Sequence, residues 1–193
     1  MRALVVFESM FGNTEVIARA IAEGLAADAA GAEGLAADAA GATVEVIEVS
    51  AAPATIPAGV DLLVVGGPTH AHGMSKPESR ADSARRAGDR LVSRGIGIRE
   101  WLKTLRGGSA TVSAAAFDTR IKGPGIVWGS AAKGADKQLR GLSFRVVAGP
   151  ESFLVDGPTG PLFDRLVDGE TDRARAWGGT LAAGLRGRRP AGR

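Results

Sequence analysis

Ser9-Met10-Phe11-Gly12-Asn13-Thr14 lie between an apolar run, Ala3 to Phe7, and a helix-period stripe of Ile17, Ile21 and Leu25. The pattern reads as a strand, a tight loop and a helix start. The first N–H groups of a helix have no partner within it, and the macrodipole adds partial positive charge there, so the loop suits a phosphate. Ser9, Asn13 and Thr14 supply side-chain donors, and Gly12 lets the backbone turn closely around an anion. The spacing is neither GxGxxG nor GxxxxGK[ST], and no lysine follows the glycine, which disfavours the dinucleotide and nucleoside-triphosphate loops. The same residues would also serve an ordinary strand-to-helix turn capped by Asn or Thr.

Two more segments carry polar groups and glycines after apolar runs. One is Gly66-Gly67-Pro68-Thr69-His70-Ala71-His72-Gly73-Met74. The other is Phe117-Asp118-Thr119-Arg120, followed by Lys122-Gly123-Pro124-Gly125 and the apolar Ile126-Val127-Trp128. Ligands of open α/β sheets bind beyond the carboxyl ends of the strands, where these three segments would converge. Together they suit a planar heterocycle with an anionic tail. No constellation pairs a nucleophile with a base, so a bound cofactor would carry any chemistry.

Strand signals at Ala3–Glu8, Thr43–Val49, Asp61–Gly67, Ala110–Phe117 and Ser143–Ala148 alternate with helical patterns. This predicts an α/β fold with a parallel sheet covered on both faces and right-handed crossovers. Between Thr43 and Asp61, prolines 53 and 57 leave room only for a turn or short helix. Lys76 to Leu105 reads as an interrupted helical stretch ending in a core stripe of Trp101, Leu102 and Leu105. A final helix over Glu170 to Leu185 carries Ala174, Trp177, Leu181 and Leu185. The decapeptide AEGLAADAAG occurs twice, at Ala22–Gly31 and Ala32–Gly41. Ten residues at about 100° each leave the second copy rotated by about 80° from the first, so Leu35 cannot extend the first stripe and one copy is surplus to the core.

The 193 residues suffice for one domain. With no cysteine, disulfides, iron–sulfur ligation and thiol chemistry are excluded, and two histidines make a dedicated transition-metal site improbable. The net charge of +3 could suggest nucleic acid, but the basic residues are scattered and no tyrosine is present to build a reading platform. No apolar run approaches the roughly 18 residues of a membrane span. The start runs directly into a strand pattern without a signal segment, so a cytoplasmic location is expected. The tail 186–193, rich in Arg, Gly and Pro, is expected to be solvated.

The opening Val5-Val6-Phe7-Glu8-Ser9-Met10-Phe11-Gly12-Asn13-Thr14-Glu15 resembles that of flavodoxin-like proteins, and the likeness extends over the later loops to about Leu185. It implies one domain over 1–185, with a doubly wound five-stranded parallel sheet in the order 2-1-3-4-5. It further implies FMN, its phosphate on Ser9, Met10, Phe11, Gly12, Asn13 and Thr14. The flavin ring would then lie between Pro68, Thr69, His70 and Gly73 on one side and Phe117, Asp118, Thr119 and Arg120 on the other. Electron-carrier flavodoxins are acidic and sandwich the ring between aromatics, whereas this chain is basic and lacks tyrosine. His70, Met74, Phe117 and Trp128 are the candidates for covering the ring, with Phe117 equally suited to the core. The expected function is electron carriage to a redox partner protein or a small-molecule acceptor. An FMN-dependent NAD(P)H:quinone or flavin reductase and a noncatalytic α/β binding module are the alternatives.

Overall fold

Strands β1 (Arg2–Phe7) and β3 (Leu62–His70) carry runs of buried apolar residues, as central strands require, whereas β2 (Thr43–Glu48), at the sheet edge, mixes Val and Ile with Thr and Glu and is only partly buried. The computed structural model describes residues 1–31, 42–71, 73–106, 108–122, 129–157 and 165–187, without the side chains of 28–31. The chain continues through β4 (Gly73–Met74), α2 (Pro77–Ala87), α3 (Ile98–Thr104), β5 (Ser113–Ile121), α4 (Ala131–Gly141), β6 (Arg145–Val146), β7 (Glu151–Val155) and α5 (Glu170–Arg186). Helix α1 (Asn13–Gly31) follows the first strand.

The parallel path runs β2-β1-β3-β5-β6, with β4 antiparallel to β3 and β7 parallel to β5. Setting β4 aside, this is the expected order 2-1-3-4-5. The sheet nevertheless has seven strands rather than five. The expected fifth strand, Ser143–Ala148, shortens to β6, which pairs with Ser113 and Ala114, and a further strand not expected from the sequence, β7, pairs with Phe117 to Ile121. Pro150, between them, has no N–H for a ladder.

Side chains alternate across the sheet. Leu4, Val6, Leu63, Val65, Ala114 and Ala116 face Trp101, Leu102 and Leu139 of α3 and α4. Ala3, Val5, Leu62, Val64, Ala115 and Phe117 face Ile17, Ile21, Leu25 and Leu181 of α1 and α5. Helices α1 and α5 approach so closely at Gly178 that an added Cβ would strike the carbonyl of Ile21. The first decapeptide copy forms the C-terminal half of α1, and the second, 32–41, lies outside the described residues. Between β2 and β3 a single 3-10 turn, Val49–Ala51, replaces a helix. Arg186 closes α5 rather than opening the tail. Among the described residues, no helix is long and apolar enough to cross a membrane, and no three His, Asp or Glu gather to hold a metal ion.

Candidate functional site

The loop after β1 turns at Gly12, whose φ of 94° lies in the left-handed region that glycine enters without a Cβ penalty. Ser9 braces this turn: its Oγ accepts the Gly12 N–H at 3.1 Å, and its own N–H donates to Ser93 Oγ at 2.9 Å. The Ser93 and Val92 N–H groups donate to the carbonyls of Ser9 and Met10, so the 91–95 segment backs the loop. Gly12 O accepts the N–H of Val16 and thereby starts α1.

A cavity of about 160 Å³ opens above this loop. The first loop contributes Ser9, Met10, Phe11, Asn13 and Thr14; β3 contributes Pro68, Thr69 and His70; β5 contributes Thr119 and Arg120. Ser83 of α2, Ile121 at the end of β5 and Val155 of β7 complete its walls. Thus ten of the fourteen sequence-predicted site residues share one cavity, although they come from three well-separated segments of the sequence. Thr14, only 1% exposed, bonds hydroxyl to hydroxyl with Thr119 at 2.7 Å across the floor. Arg120 adds a buried Nε that has no hydrogen-bond partner among the described residues.

The other four predicted residues stand apart. Gly12 shapes the turn, and Gly73 lines a neighbouring cavity that also touches His70. Asp118 is fully buried; its Oδ2 accepts from the Thr69 and Ser130 hydroxyls and from Ala132 N–H, tying β3 and β5 to the start of α4. Phe117 does not cover the cavity. It shares a sheet face with Thr119 but lies two residues deeper along β5, where its ring packs edge-on against Phe153 at 6.2 Å and Trp177 at 6.4 Å. Met74, too, is buried beneath the sheet edge against α4 rather than over the cavity. Trp128 and His72 lie outside the described residues.

Several of these residues were expected in loops and occupy strands. Pairing of Thr69 with Met74 and His70 with Gly73 extends β3, while β7 extends β5 through Ile121. Pro68 and Thr119 are consequently register partners, which holds the two walls at strand spacing.

Sequence reasoning missed the polar cluster behind the loop. Glu8, 1% exposed, accepts the Ile98 N–H through Oε2 at 2.9 Å, and Arg80 donates to Ser75 Oγ and Glu100 Oε2, each at 3.0 Å. Burial raises the pKa of Glu8 against the opposing bonds from Ser75 and Ile98 and the charge of Arg80. His70 is pushed down to about 4 by burial first and by the Arg80 charge second, which leaves the imidazole neutral at pH 7.

No family model matches the sequence, and no curated protein matches it significantly. Solved structures do match. An archaeal flavodoxin superposes with a TM-score of 0.58 at 16% identity, over 96% of this chain and 99% of that one. The chain has a flavodoxin-like fold. A short-chain flavodoxin associated with a non-canonical PDU bacterial microcompartment gives 0.58 at 16% identity over 97% of each chain. The flavodoxin WrbA-like protein from Agrobacterium tumefaciens gives 0.53 at 16% identity, over 97% of this flavodoxin-like chain and 99% of its own.

Proposed function

We propose that this flavodoxin-like chain binds FMN in the cavity between the 9–14 loop, the end of β3 and the end of β5, and acts as an electron carrier. The observation that carries the reading is the donor set: a helix start at an open glycine turn, two paired hydroxyls and an arginine with a buried unpartnered N–H. Those groups fit an anionic phosphate beside a polar ring edge. The cavity holds part of such a ligand, whose remainder would lie at the surface, where a partner can reach it.

When bound, FMN supplies the electron-transfer chemistry. The residues' tasks are to hold and tune it. Ser9 fixes the loop through Gly12, Asp118 fixes the spacing of Thr69 from α4, and neutral His70 offers a ring nitrogen without adding charge. The electron partner is a redox protein or a small-molecule acceptor. The reductase reading is favoured by a second cavity that meets the first at His70. Calorimetric titration with FMN tests the binding, with one FMN per chain expected. NADH or NADPH oxidation with a soluble quinone then separates the readings: no turnover supports the carrier, and steady turnover supports the reductase.

A further inference from the structure

His70 belongs to two cavities. The second, about 300 Å³, has apolar walls from Ala71 and Met74 and two cations, Lys76 and Arg99, on its lining. Arg99 is aimed rather than loose: its Nε donates to the Ser75 carbonyl at 2.9 Å and Nη2 to the Met74 carbonyl at 2.6 Å. These bonds occupy one edge of the guanidinium and leave Nη1 to another acceptor. Lys76 has its backbone pinned by Ser79, whose hydroxyl accepts the Lys76 N–H and donates to the Lys76 carbonyl. Lys76 is an exposed residue, and neither cation forms an ion pair among the described residues. Ala71, with φ of 50°, sits in the left-handed region at this cavity's wall, a conformation that costs a residue with a Cβ and recurs at functional sites.

We propose that this cavity is a second small-molecule site, for an organic anion whose carboxylate or phosphate lies between Lys76 and Arg99 and whose apolar body lies against Met74 and Ala71. Two unpaired cations beside an apolar wall match such an amphipathic anion better than a bare ion or a neutral hydrophobe. The burial that keeps His70 neutral leaves two positive charges to balance the head group. The proposal stands without flavin binding and goes beyond it: with FMN in the first cavity, the two ligands would share His70 as a common wall.

The test uses the full chain, with and without saturating FMN, and follows the Met74 methyl resonance while phenyl phosphate, benzoate or inorganic phosphate is added. Phenyl phosphate or benzoate is expected to shift that methyl saturably, and whichever binds tighter identifies the head group. Inorganic phosphate is expected to bind at least about tenfold more weakly, and Lys76→Gln, an exposed change, to weaken the organic anion about tenfold. Added FMN should leave the Met74 response in place. An unmoved Met74 methyl, equal affinity for inorganic and phenyl phosphate, or equal affinity in Lys76→Gln would each overturn the proposal. Failure of the chain to take up FMN would not.

Discussion

The hydroxyls of Thr14 and Thr119 meet at 2.7 Å and so tie the first turn of α1 to the ligand end of β5. Two hydroxyls hold two donor protons, and the bond between them consumes one. A phosphate reaching this floor therefore meets one free proton, supplied by the pair as a unit. Thr14→Val and Thr119→Val are each expected to weaken FMN binding by about 1–3 kcal/mol, and the double variant by less than their sum. Quenching of FMN fluorescence measures this. Strict additivity would show that the two hydroxyls act separately.

Stability should depend on His70 between its unfolded value of 6.5 and its folded value of about 4. Because the folded state holds the proton less tightly, the stabilising contribution is complete above pH 6.5 and is lost as pH falls toward 4. The loss is expected to be about 1–3 kcal/mol after allowing for partial exposure. Proton NMR of the His70 ring should titrate near 4 in the folded chain. A midpoint near 6.5 would remove the effect.

Glu8 has the opposite sign. Its folded pKa lies above the unfolded 4.5, mainly through burial, so stability falls as pH rises from 4.5 through the raised value. Glu8→Gln keeps an oxygen for the Ile98 N–H and removes the buried charge. The variant is expected to be more stable than the parent at pH 8 and equal to it below pH 4.5, as read from urea midpoints. A variant less stable at pH 8 would show that the Arg80 charge outweighs burial.

Sequence patterns make some of this architecture legible and hide the rest for physical reasons. The Ile17, Ile21, Leu25 stripe repeats at helical period and is fully buried in α1. Local periodicity suffices there. Pro68 and Asp118 are poor strand formers, and they stand in β3 and β5 because the parallel β3–β5 ladder runs through both and β7 pairs beside Asp118, a nonlocal cause. The three loops could be predicted to converge because ligand position follows topology. How deep Phe117 sits depends on its pairing with Gly66 and its packing on Phe153 and Trp177, and the Glu8–Ser75–Arg80–Glu100 cluster draws on separate segments, so neither leaves a local signature.

Arg120 brings positive charge to the cavity wall. One charge about 10 Å from a flavin at an effective dielectric of 20 favours added negative charge by about 1.7 kcal/mol. That corresponds to about 70 mV per electron. Arg120→Gln is therefore expected to lower the midpoint potential of bound FMN by tens of millivolts. An unchanged potential in a spectroelectrochemical titration would mean that Arg120 serves only packing.

FMN binding is tested most directly by the visible absorbance of the purified chain, as isolated and after incubation with excess FMN followed by desalting. Flavin bands are expected to stay with the protein at one FMN per chain and to diminish in the Thr14→Val, Thr119→Val double variant. A folded chain that emerges colourless after incubation with excess FMN would contradict it.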